Sequence, residues 1–301
     1  MSKNNFYSNG KLLITGEYLV LDGAKSLALP TKFGQYLTIE PNQSNSLDWN
    51  SYDHKELLWF KTRIGLPNLS INDSLSDFEE RLIQILKAAK QLNPHFLNNG
   101  YSVKTKLTFP KDWGLGSSST LINNLANWAQ IDPYELLKLT FGGSGYDIAC
   151  ASNNNPIVYS LKKDGQEIQT VDFNPNFKDC LYFVYLNKKQ NSRDAIEAYR
   201  KNIFDKTEAI TSINNITERV ISCNNLSEFN DLITQHEEII GAILNQEPIK
   251  SRLFKDYQGA IKSLGAWGGD FILVTATENP SAYFKAEGFD VVISYSEMIL
   301  S

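Results

Sequence analysis

The stretch Pro110-Lys-Asp-Trp-Gly-Leu-Gly-Ser-Ser-Ser-Thr120 combines residue types that can hold an anion. Gly114 and Gly116 let the backbone turn tightly and come close to a ligand, because no Cβ stands in the way. Ser117, Ser118 and Ser119 then open a helical run over 121–130. Serines at a helix start cap N–H groups, and those groups together with the helix dipole attract negative charge. A strand, a glycine turn and a capped helix start make a phosphate cradle, although a capped start with no ligand has the same local sequence. Two familiar cradles do not fit. No Lys follows the serines as a Walker A loop requires, and Ser119 stands where the dinucleotide fingerprint needs a third glycine.

Other candidate groups are scattered along the chain. Asp147 follows Gly142, Gly143 and Gly145, which suits either a turn or N-cap or a positioned catalytic base. Lys11 and Glu17 punctuate the apolar run over 11–21, as solvated strand-end charges or as functional groups. Lys188, Lys189 and Arg193 cluster at a strand-to-helix junction, where they serve as surface charge or hold an acidic substrate. A second glycine cluster, Lys262-Ser-Leu-Gly-Ala-Trp-Gly-Gly-Asp270, suggests two backbone segments approaching one ligand. His54, His95 and His236 have no second His or Cys at metal spacing, so zinc and Ser-His-Asp chemistries find no support.

The elements that must position these groups read as a mixed α/β chain. Residues 11–21 read as a strand pair with a bend, closed by the Asp22-Gly23 turn signal. Further strands are expected at 35–40 and 57–62, with a loop over 42–46. Ser76 and Glu79 make a capping box, and Phe78, Leu82, Ile85, Leu86 and Ala89 recur at helical spacing as core packing of a helix over 76–92. Residues 101–109 alternate as a half-exposed strand leading into Pro110. Helices follow over 134–140, 193–203, 205–222 and 226–245, and a short one over 279–286. Strands at 157–161 and 181–186 suggest a second sheet beginning near residue 155; others cover 271–276 and 291–295.

At 301 residues and 34.0 kDa the chain has room for two domains. A hydrophobic content of 42% and a charged content of 21% fit a soluble globular protein, and the net charge of −5 argues against a nucleic-acid partner. Cys150, Cys180 and Cys223 are few, odd in number and far apart, which reads as reduced thiols. The first ten residues carry no signal-peptide apolar core, and no apolar run approaches a membrane span. The expectation is a cytoplasmic protein, monomeric or homodimeric.

Taken in order, four motifs resemble those of the GHMP kinases (galactokinase, homoserine, mevalonate and phosphomevalonate kinases). Asn9-Gly-Lys-Leu-Leu-Ile-Thr-Gly-Glu-Tyr-Leu-Val-Leu-Asp-Gly23 resembles the family's opening Pro-Gly-Lys…Gly-Glu segment, with Asn in place of Pro. Pro110 to Ser119 resembles the ATP-phosphate loop Pro-x-x-x-Gly-Leu-Gly-Ser-Ser. Leu264-Gly-Ala-Trp-Gly-Gly-Asp270 is similar to the C-terminal Gly-Ala-Gly-Gly-Gly loop, with Trp267 replacing a glycine. Gly143-Ser-Gly-Tyr-Asp147 matches the Ser-Gly-x-Asp of mevalonate and phosphomevalonate kinases.

The resemblance implies an α/β (α+β) fold in two domains. Residues 1–155 would form an ATP-binding domain like ribosomal protein S5 domain 2, and 156–301 a ferredoxin-like domain, with the active site between them. It further implies an ATP- and Mg²⁺-dependent phosphotransferase of isoprenoid-precursor synthesis, acting on mevalonate or 5-phosphomevalonate. Gly114, Leu115, Gly116, Ser117, Ser118 and Ser119 would wrap the ATP phosphates, with Ser118 a Mg²⁺ ligand. Asp147 would accept or orient the acceptor's proton, and Lys11 would keep that carboxylate ionised and counter developing charge. Glu17, Ser144, Lys188, Arg193, Gly265 and Gly268 would bind the small-molecule substrate.

Two departures stand out. Ser118 and Asp147 are only 147 − 118 = 29 positions apart, roughly a helix shorter than in most relatives. The missing segment carries a second Mg²⁺ ligand in mevalonate kinases; Glu135, one position out of register, is the candidate here. With Trp267, the short interval motivates an alternative, a non-catalytic nucleotide or metabolite sensor that binds ATP without turnover. A mevalonate-diphosphate decarboxylase-like enzyme is a further alternative, revealed by carbon dioxide release.

Overall fold

The computed structural model describes residues 3–71, 74–190, 192–201 and 205–300, without the side chains of Ser192 and Arg193. Two compact units are distinguishable. One comprises 1–10, 33–111 and 116–152, the other 11–32, 112–115 and 153–301.

The first unit is a sheet covered by helices. Its elements are β1 (Asn4–Leu13) and β2 (Ser26–Asn42), both shared with the other unit, then β3 (Ser46–Tyr52), β4 (Leu58–Gly65), α1 (Asp77–Leu92), β5 (Gly100–Leu107), α2 (Ser117–Ala129), α3 (Pro133–Thr140) and α4 (Tyr146–Ser152). The strands run in the order β4-β3-β5-β2, with β1 on β2; β3 and β5 are parallel, and β2 lies antiparallel to β5 with Gln35 opposite Leu107. Alternation on β5 sends Val103, Thr105 and Leu107 inward and Lys104 outward, as the sequence suggests. Leu37, Trp49, Val103, Leu86, Leu125 and Ile148 share the core between sheet and helices. The capping box at α1 is present in full: Ser76 Oγ accepts from the Glu79 N–H, and the Glu79 carboxylate accepts from the Ser76 N–H at 2.9 Å.

The second unit holds β6 (Ile157–Lys162), β7 (Gly165–Thr170), β8 (Leu181–Tyr185), α5 (Ser192–Lys201), α6 (Thr207–Ser222), α7 (Leu226–Leu244), α8 (Ile249–Leu253), β9 (Ile261–Ser263), β10 (Phe271–Thr275), α9 (Ser281–Ala286), β11 (Val292–Ser294) and α10 (Tyr295–Met298). Here β11-β8-β10-β9 form an antiparallel sheet, with α7 and α8 packed on β9. Val184, Phe254, Ile272, Val274 and Phe284 anchor its core.

Several expectations need correcting. Residues 14–18 are not extended: β1 ends at Leu13, Gly16 and Tyr18 take φ of 87° and 62°, and Leu19–Asp22 winds into a 3₁₀ turn. The strand at 157–161 does not begin a second sheet; β6 pairs with Ser26–Ala28 of β2, so the separate sheet starts at β8. Phe78 is 60% exposed although it continues the buried stripe of α1 four residues before Leu82; the first turn of the helix is left uncovered. Among the described residues no helix is long and apolar enough to cross a membrane. The three cysteines are free thiols, with Cys150 and Cys223 buried.

Removing the α1 cap tests its local weight. Ser76→Ala should cost about 1 kcal/mol, since a lost N-cap hydroxyl typically costs that much, read as a shift of the urea midpoint at unchanged slope.

Candidate active site

Helix α2 opens without a side-chain cap. Its N-cap is Gly116, left-handed at φ 90° and ψ 41°. The serines do not cap it, contrary to the capped start expected from the sequence. Ser119 Oγ instead donates to the Gly116 carbonyl at 3.0 Å, and Thr120 Oγ1 donates to Gln35 Oε1 at 2.9 Å. The first-turn N–H groups of Ser117, Ser118 and Ser119 therefore have no side-chain acceptor among the described residues, the condition under which a helix start binds an anion. Ser118 is exposed, Ser117 half-buried and Ser119 buried.

Asp147 belongs to the same unit. It lies in the first turn of α4, half-buried, and α4 packs against α2. Gly142, Gly143 and Gly145 take φ of 65°, 103° and 89°, so the chain reverses just before this helix. The Gly145 carbonyl accepts from the Ile148 and Ala149 N–H groups, which puts Asp147 inside the helix and not at its cap. Ser144 sits half-buried in that turn. Glu135 does not join this group as a metal ligand would. It is exposed on α3, 3.9 Å from Lys138 Nζ, and its helical position points to a solvated ion pair. Among the described residues no group of three or more His, Cys, Asp and Glu could hold a metal ion.

An exposed aromatic shelf also belongs to this unit. Trp59 and Phe78 meet edge to face at 5.4 Å, and Lys111 Nζ lies 5.1 Å from the Trp59 ring centroid. Sequence reasoning missed this shelf. Phe78 read as core packing because its spacing fits the stripe of α1, and spacing does not report that the first turn is uncovered.

In the second unit, the remaining parts of three motifs meet. The Lys11 N–H donates to the Leu115 carbonyl at 3.0 Å. Gly114, at φ 69°, passes so close to Asp270 that a Cβ there would lie 2.5 Å from the carboxyl carbon. The Gln190 N–H donates to Asp270 Oδ1 at 3.2 Å. Burial raises the Asp270 pKa, opposed by that hydrogen bond and by the charges of Lys11 and Lys189. Trp113 and Tyr185 tie the loop to β10 and β8: Trp113 meets Phe271 edge to face at 5.4 Å, and the Tyr185 hydroxyl donates to the Asp112 carbonyl at 3.1 Å.

The 264–270 loop is conformationally demanding. Gly265 and Gly268 are left-handed, and so are Trp267 and Asp270, at φ 49° and 53°, where a side chain is uncommon. A Cβ on Gly269 would lie 2.4 Å from the Lys188 carbonyl oxygen, so this glycine is required by close packing. Trp267 is 4% exposed, and its indole N–H has no acceptor among the described residues. With Tyr18, Gln190, Tyr199 and Ala266 it lines a cavity of about 280 Å³. Lys188 is exposed, and the side chain of Arg193 lies outside the described residues.

Glu17 is neither a solvated strand-end charge nor an open substrate ligand. It is 1% exposed and ion-paired to the equally buried Lys262. Burial pushes its carboxyl up to about 7, against the pull of Lys262.

No protein-family model matches the chain, and no curated protein matches it in sequence. Solved structures do. The Methanococcus jannaschii mevalonate kinase superposes with a TM-score of 0.73 at 16% identity, over 100% of this chain and 99% of that one. A Streptococcus pneumoniae phosphomevalonate kinase, solved with phosphomevalonate and AMPPNP, gives 0.69 at 16% identity, over 99% and 98%. A Lactococcus lactis galactokinase, solved with galactose, gives 0.69 at 14% identity, over 100% and 95%. This chain has the GHMP kinase fold. At such identities the likeness fixes the GHMP fold and leaves the chemistry to the residues in place.

Those residues suit Mg²⁺, which takes hard oxygen ligands and is commonly held by one or two carboxylates together with substrate phosphates. The exposed Ser118 hydroxyl and the Asp147 carboxylate, on the packed helices α2 and α4, are donors of that kind.

Two glycine substitutions separate crowding from backbone strain. Gly114→Ala and Gly142→Ala both place a Cβ at positive φ, but only the first meets neighbouring atoms. Each should lose about 1–2 kcal/mol from left-handed strain, and Gly114→Ala should lose visibly more in thermal unfolding.

Proposed function

We propose that this protein is an ATP- and Mg²⁺-dependent small-molecule kinase that transfers the γ-phosphoryl group to mevalonate or 5-phosphomevalonate. The uncapped start of α2 beside α4, which carries Asp147, is the observation that carries this reading. The ordered motifs and the GHMP fold support it, and the motif details at 17–23, 145–149 and 268–270 favour the mevalonate branch.

In this reading the N–H groups of Ser117, Ser118 and Ser119 receive the ATP phosphates, helped by the positive end of α2. Gly114 and Leu115 bring the chain to that point. The adenine stacks on the exposed part of the Trp59–Phe78 shelf, where Lys111, just upstream of the loop, already lies over the Trp59 ring. Ser118 and Asp147 would hold a magnesium ion, which would supply neutralisation of charge on the phosphate oxygens. Asp147 also accepts the proton of the attacking group or orients it. Lys11 answers the charge of the transferring phosphoryl. The acceptor occupies the cavity beside Trp267, where the indole N–H can donate to an acceptor oxygen. Lys188 and Arg193 hold its carboxylate or phosphate, and Ser144, Gly265 and Gly268 complete its surroundings. Positioning and electrostatics suffice for such a transfer.

One observation favours a second reading. Trp267 fills space that a glycine leaves open in the family motif, and this suits a sensor that binds ATP without turning it over.

ADP release with ATP and Mg²⁺ should appear with mevalonate or 5-phosphomevalonate and not with homoserine or galactose. Asp147→Asn should lower kcat by roughly 10²–10⁴ while the ATP Kd stays within threefold. Silence with all four acceptors while ATP still binds would give the sensor reading the field. Separately, Trp59→Ala should weaken ATP binding by about 5- to 150-fold, the equivalent of losing one stacking interaction of about 1–3 kcal/mol; an unchanged Kd from titration calorimetry would remove the shelf from the nucleotide site.

A further inference from the structure

Five side chains within the second unit, all 2% exposed or less, form a connected set of polar links, in which Glu17 Oε2 and His236 Nδ1 have no hydrogen-bond partner among the described residues. Lys262 Nζ, on β9, is ion-paired to Glu17 Oε1 and also donates to the Ser263 carbonyl at 2.8 Å. Glu237, on α7, accepts from the Ser263 N–H at 3.0 Å and from its hydroxyl at 2.7 Å. The preceding residue, His236, accepts from the Gly16 N–H through Nε2 at 2.8 Å, and that same nitrogen lies 3.3 Å from Glu17 Oε2. One helix thus grips the 14–18 turn with one residue and β9 with the next, while Glu17 and Lys262 join turn and strand directly. Thr15 is bound in the same way, accepting from the Thr217 hydroxyl of α6 at 2.8 Å.

The two segments so joined are functionally placed. The 14–18 turn continues β1 beyond Lys11, and β9 runs directly into the 264–270 loop. We propose that Glu17, His236, Glu237 and Lys262 are positioning residues that fix the Lys11 segment against the 264–270 loop. Their effect on turnover rests on the kinase reading above; the mechanical link itself does not.

Charge explains why the set holds together. With His236 neutral, two carboxylates share one ammonium out of water, and each carboxylate compensates for its burial through bonds to the other segment. Because the His236 Nε2 lone pair is taken by Gly16, a neutral ring carries its proton on Nδ1. Nε2 and Glu17 Oε2 then face each other as two acceptors unless Glu17 is protonated. Burial pushes Glu17 up and His236 well down, the Lys262 charge opposing the first shift and adding to the second, and burial also raises Glu237. In the unfolded chain Glu17 loses its proton near its ordinary value of 4.5, and in the folded protein only near 7. Stability from this group is therefore full below the first value and falls as pH rises to the second. His236 works in the opposite sense. An unfolded imidazole takes a proton below its ordinary 6.5 while the folded one does not, so its contribution is lost as pH falls through that region.

The test uses the full chain and the double variant Glu17→Gln/Lys262→Met, which leaves no lone charge of the pair behind. Amide hydrogen exchange should become at least tenfold faster in 14–18 and 264–270 together, while α1 keeps its protection. The kcat should fall at least tenfold while KM for ATP stays within twofold. Unchanged exchange, or loss in one segment alone, would overturn the link; faster exchange with an unchanged kcat would overturn the positioning role. If the double variant does not fold, the isosteric Glu17→Gln carries the same measurements. Glu17→Gln should also gain in melting temperature over the wild type as pH rises from 4.5 to 7, and a constant difference would remove Glu17's titration from the account. A wild type without turnover would reject the kinase reading and leave the exchange result to decide the link.

Discussion

A lysine ammonium with no access to water has to be met by carboxylates held in place, because a buried charge left alone costs several kcal/mol. Lys262 imposes that condition on the second unit. Glu17 must reach it from the 14–18 turn, so Gly16 must take a left-handed conformation in a space where a Cβ would lie 2.0 Å from Ser26 Oγ. Helix α7 must then bring two consecutive polar residues, His236 and Glu237, into a core otherwise lined by Phe229, Ile233 and Ile240. Replacing the whole set by apolar side chains could match its stability. What hydrophobic packing would not supply is a directional tie between two loops.

The glycine-serine loop obeys a different constraint, one of space. Its two glycines serve separate ends. Gly114 is small because the Asp270 carboxyl stands against it, and Gly116 is a glycine because the start of α2 needs a left-handed residue. Between them Leu115 is fully buried and fastens the loop from inside. The Ser119 hydroxyl turns to the Gly116 carbonyl, and the amides of the first turn have no side-chain acceptor among the described residues. Rigidity on one side and open donors on the other is the combination that lets a backbone stabilise phosphate charge without first reorganising.

Local sequence carried whatever depended on neighbours a few residues away. The capping box of α1, the inward face of β5 and the glycine loop all lie within spans of a dozen residues, and each appears where the spacing puts it. Glu17 was illegible because its partner stands 245 positions away and no periodicity reports a buried ion pair. Strand β3, Ser-Leu-Asp-Trp-Asn-Ser-Tyr, escaped because its outward residues are poor strand formers, and burial of Leu47 and Trp49 overrides them. The sheet joined by β6 was misread for a related reason: an apolar run announces a strand but not its neighbour. Asp147 shows the mixed case. Its glycines were legible as a reversal, but the placement of α4 on α2 was a matter of packing.

The chain passes between the two units at 10/11, 32/33, 111/112, 115/116 and 152/153. Two of those crossings fall inside β1 and β2, where the backbone is hydrogen-bonded and extended rather than looped. No single proteolytic cut or gene truncation can therefore release either unit whole, since each would leave with broken strands. Evolution by shuffling of one half for another is closed to this chain in the same way, and substitutions within the units remain the open route to a changed ligand.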